Sequence, residues 1–195
     1  MISEYSHQVV TFATDFGWMA LTGNGSTLSQ VMFGYPTKSA ALAALNPAVL
    51  AAAQTRDWCP SLVERLQDYA AGGWVDFSDV KVDLDHLTPF QRKVVMQCRA
   101  IAYGQTRSYG ELALRSGSPR AARAVGNTMA ANRYPLIVPC HRVVNSDGST
   151  GNFSAPDGSR MKIRLLDMEQ RTLAAFEPPE GVRRPGTTAM AQSQR

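Results

Sequence analysis

The sequence is short of cysteine and histidine, with three of each in 195 residues. Cys59, Cys98 and Cys140 are an odd number without CxxC spacing, which argues against a disulfide framework and a zinc ribbon and fits a reducing compartment. His7, His86 and His141 lack the short helical spacing of a zinc site, so no metal is expected. No apolar run approaches the length of a membrane span, and the start Met1-Ile2-Ser3-Glu4-Tyr5 lacks the basic and apolar segments of a signal peptide. A cytoplasmic or nucleoid-associated protein without a membrane partner is expected. Any special cysteine in such a chain works as a thiol.

What is present begins with charge. The net +4 conceals an asymmetry: residues 1–87 carry 4 Lys/Arg against 9 Asp/Glu, a net −5, and residues 88–171 carry 13 against 5, a net +8. A solvated charged face accounts for this, and so does one lobe that meets a polyanion while the other faces away. A hydrophobic content of 44% in this length allows one large domain or two small ones.

Alternating residues with hairpin punctuation predict three strands, Val9 to Thr14, Trp18 to Thr22 and Leu28 to Phe33, forming a small antiparallel sheet. Helices are predicted near Lys38 to Leu45 and over Pro60 to Ala71, then a strand-like Trp74 to Val82. Thr88-Pro89-Phe90-Gln91 combines an N-cap threonine, a proline at the first helical position and a glutamine three after the cap. The helix it opens places Phe90, Val94, Cys98 and Ile101 on one face and is expected to close at Gly104. Cys98 is therefore read as a small core residue. Ser108-Tyr109-Gly110-Glu111 is a second capping box, opening a short helix that ends at Gly117, and Ser118-Pro119 is expected to begin the next immediately.

Two short helices across a glycine-containing turn point to a helix-turn-helix. On the second helix Ala122, Val125, Gly126 and Met129 make an inner face, leaving Arg120, Arg123 and Asn127 outward, with Ala124 and Thr128 small enough for a nucleic-acid backbone to approach. An ordinary helical hairpin with exposed arginines reads the same stretch equally simply.

Leu136-Ile137-Val138 and Val143-Val144 read as buried strand, yet Pro139-Cys140-His141-Arg142 between them brings a thiol, an imidazole and a guanidinium into an apolar setting. Proline makes this segment an edge or a turn. Cys140 can then face a pocket, where a cationic or basic neighbour would ease its ionisation. Adjacent strand residues point oppositely, so Cys140 and His141 need a bend or a bridging water to meet, and a carboxylate from elsewhere to orient the ring. A buried, inert cysteine beside an incidental histidine is the alternative.

Pro139-Cys140-His141-Arg142-Val143-Val144, preceded by Asn132 and by Arg120-Ala121-Ala122-Arg123-Ala124-Val125-Gly126, resembles the methylated-DNA–protein-cysteine methyltransferase family. The likeness runs through Ser108-Tyr109-Gly110-Glu111-Leu112-Ala113 and Thr88-Pro89-Phe90-Gln91, covering residues 84 to 171; the N-terminal half matches only in layout. The resemblance implies an α/β (α+β) fold in which a small-sheet domain (1–83) precedes a mostly helical DNA-binding domain (84–171) with a winged-helix-like helix-turn-helix. Residues 172–195 are expected to form a disordered tail, for which their Pro, Gly, Ser, Thr and Gln content argues.

It implies direct repair, in which Cys140 irreversibly accepts an alkyl group from O6-alkylguanine (with O4-alkylthymine as a further substrate), His141 is the base through a water, and Glu169 orients it. Asn132 is implied to steady the active-site turns, Arg123 to fill the stack after base extrusion, and Tyr109 to rotate the phosphate and assist the leaving guanine. Val143, Phe153 and Ser154 are implied to line the pocket, and Arg120 and Asn127 to meet DNA. The implied partner is duplex DNA bound through the minor groove by a monomer able to cluster, with no cofactor. Phe153 departs from the family's usual tyrosine, and Ala155-Pro156-Asp157-Gly158 looks longer than usual. Two rival readings remain: a binder of alkylated DNA that transfers nothing, against which Cys140 argues, and a cysteine hydrolase, which would want a histidine from a distant segment.

Overall fold

The structure, a computed structural model, describes residues 7–52, 54–55 and 58–175. Strands β1 (Gln8–Thr14), β2 (Gly17–Asn24) and β3 (Thr27–Tyr35) form the expected antiparallel meander. Alternation sorts β2 onto two cores: Met19 and Leu21 join Leu28, Val31 and Phe33 on one face, and Ala20 meets Val9, Ala41 and Leu45 on the other. Helix α1 (Lys38–Ala43) covers that second face, capped by Thr37. A helix that the sequence reading lacks, α2 (Pro47–Ala52), precedes the two-residue β4 (Gln54–Thr55).

The sheet is mixed at its edges, because β4 pairs parallel to β1 and β5 (Lys81–Val82) parallel to β3. Both follow long connections, which is what parallel pairing requires. Helix α3 (Pro60–Ala70) packs Leu62, Leu66, Tyr69 and Ala70 inward. Of the strand expected over Trp74 to Val82 only β5 forms. Asp76 turns the chain by accepting from Ser78, and Arg99 Nη2 takes the carbonyls of Phe77, Ser78 and Val80 at 2.9–3.1 Å, so a guanidinium replaces the strand partner.

Thr88 opens α4 (Pro89–Arg99) through the full capping box. The helix stops at Arg99, short of Gly104; that glycine sits in a left-handed turn (φ +70°) where a Cβ would come within 2.2 Å of Leu173. A second capping box, Ser108 with Glu111, opens α5 (Tyr109–Arg115). The next helix, α6 (Ala122–Ala130), starts later than expected, after a turn over residues 118–121. Helices α4, α5 and α6 pack on one another, giving the helix-turn-helix.

Leu136-Ile137-Val138 is buried but is a turn, with Leu136 at φ +73°, a conformation a leucine adopts only where its surroundings impose it. Cys140–Arg142 is a single 3-10 turn, and only Val143–Val144 forms a strand, β7, beside β6 (Arg107–Ser108). Helix α7 (Ser159–Ala175) lies against that turn and extends four residues into the expected tail. The rest of the tail, 176–195, lies outside the described residues. One core runs from Phe12 to Leu165 across the boundary placed at 83/84, and Val31 N–H donates to the Arg133 carbonyl at 2.8 Å. Among the described residues no helix is long and apolar enough to cross a membrane.

Candidate active site

Cys140 lies at the floor of a cleft of about 940 Å³, within the ~300–1,000 Å³ typical of small-ligand pockets. Tyr109 and Gly110 of α5, Ala122, Arg123, Gly126 and Asn127 of α6, Asn145 to Asp147, and Phe153 and Ser154 of the loop before α7 line it. Two assignments on α6 change as a result. Ala122 and Gly126 face the cleft rather than an inner face, and Thr128 is buried, its hydroxyl donating to the Ala124 carbonyl at 2.8 Å. Arg120, exposed in the turn before α6, and Val143, buried with its carbonyl held by Lys162 Nζ at 2.5 Å, do not line the cleft.

The 3-10 turn sends consecutive side chains in different directions, which a strand would do only by alternation. Cys140 Sγ receives Asn132 Nδ2 at 3.0 Å, and the same amide donates to the Val138 carbonyl at 2.9 Å, so one side chain ties the thiol to the preceding turn. Burial pushes the Cys140 thiol above its ordinary range, only partly offset by Asn132 and by the Lys162 ammonium. The resting group is a protonated thiol.

His141 is wholly buried and turns toward α7, its Nε2 3.0 Å from Glu169 Oε1. Glu169 also accepts Arg142 Nε and Nη2, Tyr69 Oη at 2.6 Å and Gly104 N–H at 2.8 Å. Burial opposes the carboxylate's charge, but the donors of His141 and Arg142 outweigh it and hold Glu169 ionised well below the usual carboxylate range. Burial pushes His141 the other way, below its ordinary value, with Glu169 resisting. Arg142 already balances the charge of Glu169, and burial disfavours the imidazolium, so His141 is neutral. Its Nδ1 is buried and has no hydrogen-bond partner among the described residues.

The sequence thus brings Cys140, Tyr109, Arg123, Asn127, Phe153 and Ser154 to one cleft, with Asn132 bonded to the thiol from outside its lining, and sets His141 and Glu169 behind Cys140. It missed Tyr69, and it missed Lys162, fully buried with Nζ 5.8 Å from the Tyr109 ring centroid. A signal for Lys162 existed: with Met161, Leu165 and Glu169 it shares the buried face of α7, where charged residues have no ordinary place. Among the described residues no three metal-ligating side chains gather.

The arrangement can deprotonate a thiol toward a ligand in the cleft. The DNA-binding-domain model of 6-O-methylguanine DNA methyltransferase matches residues 89–171. A Mycobacterium leprae protein named methylated-DNA–protein-cysteine methyltransferase is 35% identical over 154 residues, covering 79% of this chain and 87% of that one. One of the same name from Mycolicibacterium paratuberculosis is 42% identical over 109 residues, 56% of this chain, and the match spans 64% of that relative's length. The crystal structure of Mycobacterium tuberculosis OGT in complex with DNA superposes with a TM-score of 0.70 at 32% identity, over 85% of this chain and 94% of that one. The O6-methylguanine-DNA methyltransferase of Pyrococcus kodakaraensis gives 0.61 at 25% identity, over 84% and 98%. The chain belongs to the methylated-DNA–protein-cysteine methyltransferase family.

Proposed function

We propose that this protein repairs DNA directly, taking an alkyl group from the O6 of guanine onto Cys140 in a single turnover. The observation that carries this reading is a protonated thiol open to a cleft, backed by a neutral histidine with one nitrogen on Glu169 and the other unpartnered. His141 Nδ1 takes the thiol proton across one water. Sulfur attacks the alkyl carbon, the S–C bond forms as the C–O6 bond breaks, and the electron pair leaves with guanine, which regains a proton. The thioether is stable, so each molecule acts once and needs no cofactor.

The cleft supplies the rest. It is bounded by α6, whose first turn no side chain caps, so free N–H groups and Arg123 face an incoming phosphate. The target nucleotide enters from the minor groove by extrusion, Arg123 fills the gap in the stack, and Tyr109 donates to the departing base. Intact-mass analysis after incubation with O6-methylguanine duplex tests the reading. A gain of one methyl group on Cys140 is expected. Binding without a mass gain would make the protein a recognition module instead, and turnover of an acyl ester would make it a hydrolase.

A further inference from the structure

One member of the buried network belongs to the other half of the chain. Tyr69, on α3, stands 100 positions before Glu169 and is 1% exposed, its ring edge-on to Phe77 and Tyr103 with centroids 5.8 and 6.0 Å away. Its hydroxyl lies 2.6 Å from Glu169 Oε1 and 3.3 Å from His141 Nε2. We propose that Tyr69 is a positioning residue for alkyl transfer: its hydroxyl oxygen joins Glu169 Oε1 in bracketing His141 Nε2, so that this nitrogen carries the proton and Nδ1 is left as the base. The consequence for rate rests on the alkyl-transfer reading above; the tautomer does not.

A phenol has one hydrogen to donate, and the short contact to the carboxylate claims it. Toward His141 the Tyr69 oxygen then offers lone pairs only. Nε2 is bracketed by two acceptors, Glu169 Oε1 at 3.0 Å and Tyr69 Oη at 3.3 Å, and must bring its own hydrogen. A neutral imidazole has one, so the lone pair falls on Nδ1, the nitrogen without a partner. Were the Tyr69 hydrogen turned to Nε2 instead, that nitrogen's lone pair would face the carboxylate at 3.0 Å.

Tyr69 also moderates the carboxylate. Without it, more of the charge on Oε1 is directed at His141, which favours the imidazolium and blocks Nδ1. Losing the second acceptor acts in the opposite sense, but a 3.3 Å contact is weaker than a 2.6 Å bond to a carboxylate, so the net effect is a more basic His141. The titratable and charged groups facing His141 are Glu169 and Lys162 from α7, Arg142 beside it and Tyr69 from α3, and only the last is altered.

The test reads the ring nitrogens of His141 by NMR in the full chain labelled with 15N-histidine. The wild type is expected to show a neutral imidazole protonated at Nε2; the Nδ1–H tautomer overturns the proposal without recourse to any variant. Tyr69→Phe keeps the ring and its packing. It is expected to raise the pH at which His141 protonates and, below that pH, to slow single-turnover reaction of Cys140 with free O6-benzylguanine about tenfold, part of the ~100-fold or more that a positioned base contributes. Duplex affinity should not change, and raising the pH should restore the rate. An unchanged His141 titration, or a rate loss that pH does not restore, would leave Tyr69 a packing residue only. The NMR measurement needs no substrate, so a wild-type protein that transfers nothing would sink the proposed function and leave this result standing.

Discussion

Arg142 grips Glu169 along one edge, its Nε 3.2 and 3.0 Å from the two carboxylate oxygens and its Nη2 2.8 Å from Oε1. Its Nη1 is spent on the Ile101 carbonyl at 2.8 Å, so the cation two residues from Cys140 serves the carboxylate rather than the thiol. Arg142→Met therefore strands a buried carboxylate, and should cost about 3–5 kcal/mol of unfolding free energy, the range for breaking one partner of a buried pair. Urea denaturation measures it. A loss within the ~1 kcal/mol of an exposed pair would mean water reaches Glu169.

The same cluster sets the acid sensitivity of the fold. His141 is held below its ordinary 6.5 by burial, so its unfolded form binds a proton that the folded form does not, and stability begins to fall as pH drops below 6.5. Glu169 is depressed below 4.5, its burial overcome by His141 and Arg142, so its contribution is complete above 4.5 and is lost as pH falls further. Melting temperature against pH should show both segments. Glu169→Gln should flatten the lower one while destabilising the protein at pH 7; an unaltered slope below 4.5 would assign acid unfolding to other carboxylates.

Transfer should respond to pH through a different pair. With a protonated thiol and a neutral His141, the wild-type rate is level across neutral pH and declines only on the acid side of 6.5, where imidazole becomes imidazolium. In His141→Ala the thiol must ionise unaided, so transfer slows by about 100-fold at pH 7 and climbs with pH into the range above 9, where burial places the thiol. Single-turnover rates on O6-methylguanine duplex from pH 5 to 10 decide this, and identical profiles for the two proteins would remove His141 from the proton path.

The parts of this site that were readable in the sequence are those fixed by near neighbours. Thr88 with Gln91 and Ser108 with Glu111 declare helix starts because cap and acceptor lie three residues apart. Pro139 announces a break in a strand, and the break puts Cys140 and His141 in a 3-10 turn rather than on a ladder. Leu136 to Val138 misled because apolar content reports burial, and a buried turn has as much of it as a strand. Trp74 to Val82 misled because Arg99, about twenty residues away, takes its carbonyls. Tyr69 was illegible for the same reason at longer range: amphipathic spacing shows that it points inward, and nothing local shows that a carboxylate 100 residues later awaits its hydroxyl.

Arg123 stands exposed at the start of α6, lining the cleft, and among the described residues it has no acceptor that would give it a structural task. Its work should therefore appear only with duplex. Arg123→Ala is expected to slow repair of O6-methylguanine in duplex DNA by about tenfold or more, because unstacking a base costs a few kcal/mol and the filler recovers part of it. Reaction with free O6-benzylguanine should stay within about twofold of wild type, since a free base leaves no gap in a stack. Equal losses on the two substrates would place Arg123 in the fold or in general pocket shape.

Phe153 and Tyr109 both line the cleft that holds Cys140. Phe153 is fixed from the N-terminal sheet, where Phe33 meets it edge-on with ring centroids 6.2 Å apart, so it can close over a base and exclude water. It has no hydroxyl. If a phenol assists the departing guanine, Tyr109 is the group placed to do so, and burial raises its hydroxyl above the ordinary range, keeping it a donor at neutral pH. Its loss should cost about 1 kcal/mol or more of transition-state stabilisation, the worth of a neutral hydrogen bond, or at least fivefold in rate. Phe153→Tyr should match or exceed wild type, and should soften the Tyr109→Phe defect when the two are combined, because a second donor then faces the same base. Single-turnover rates for the two single variants and the double variant close the cycle. A harmless Tyr109→Phe in the Phe153 background would mean that neither phenol assists departure, and would transfer that role to backbone donors near Ser154.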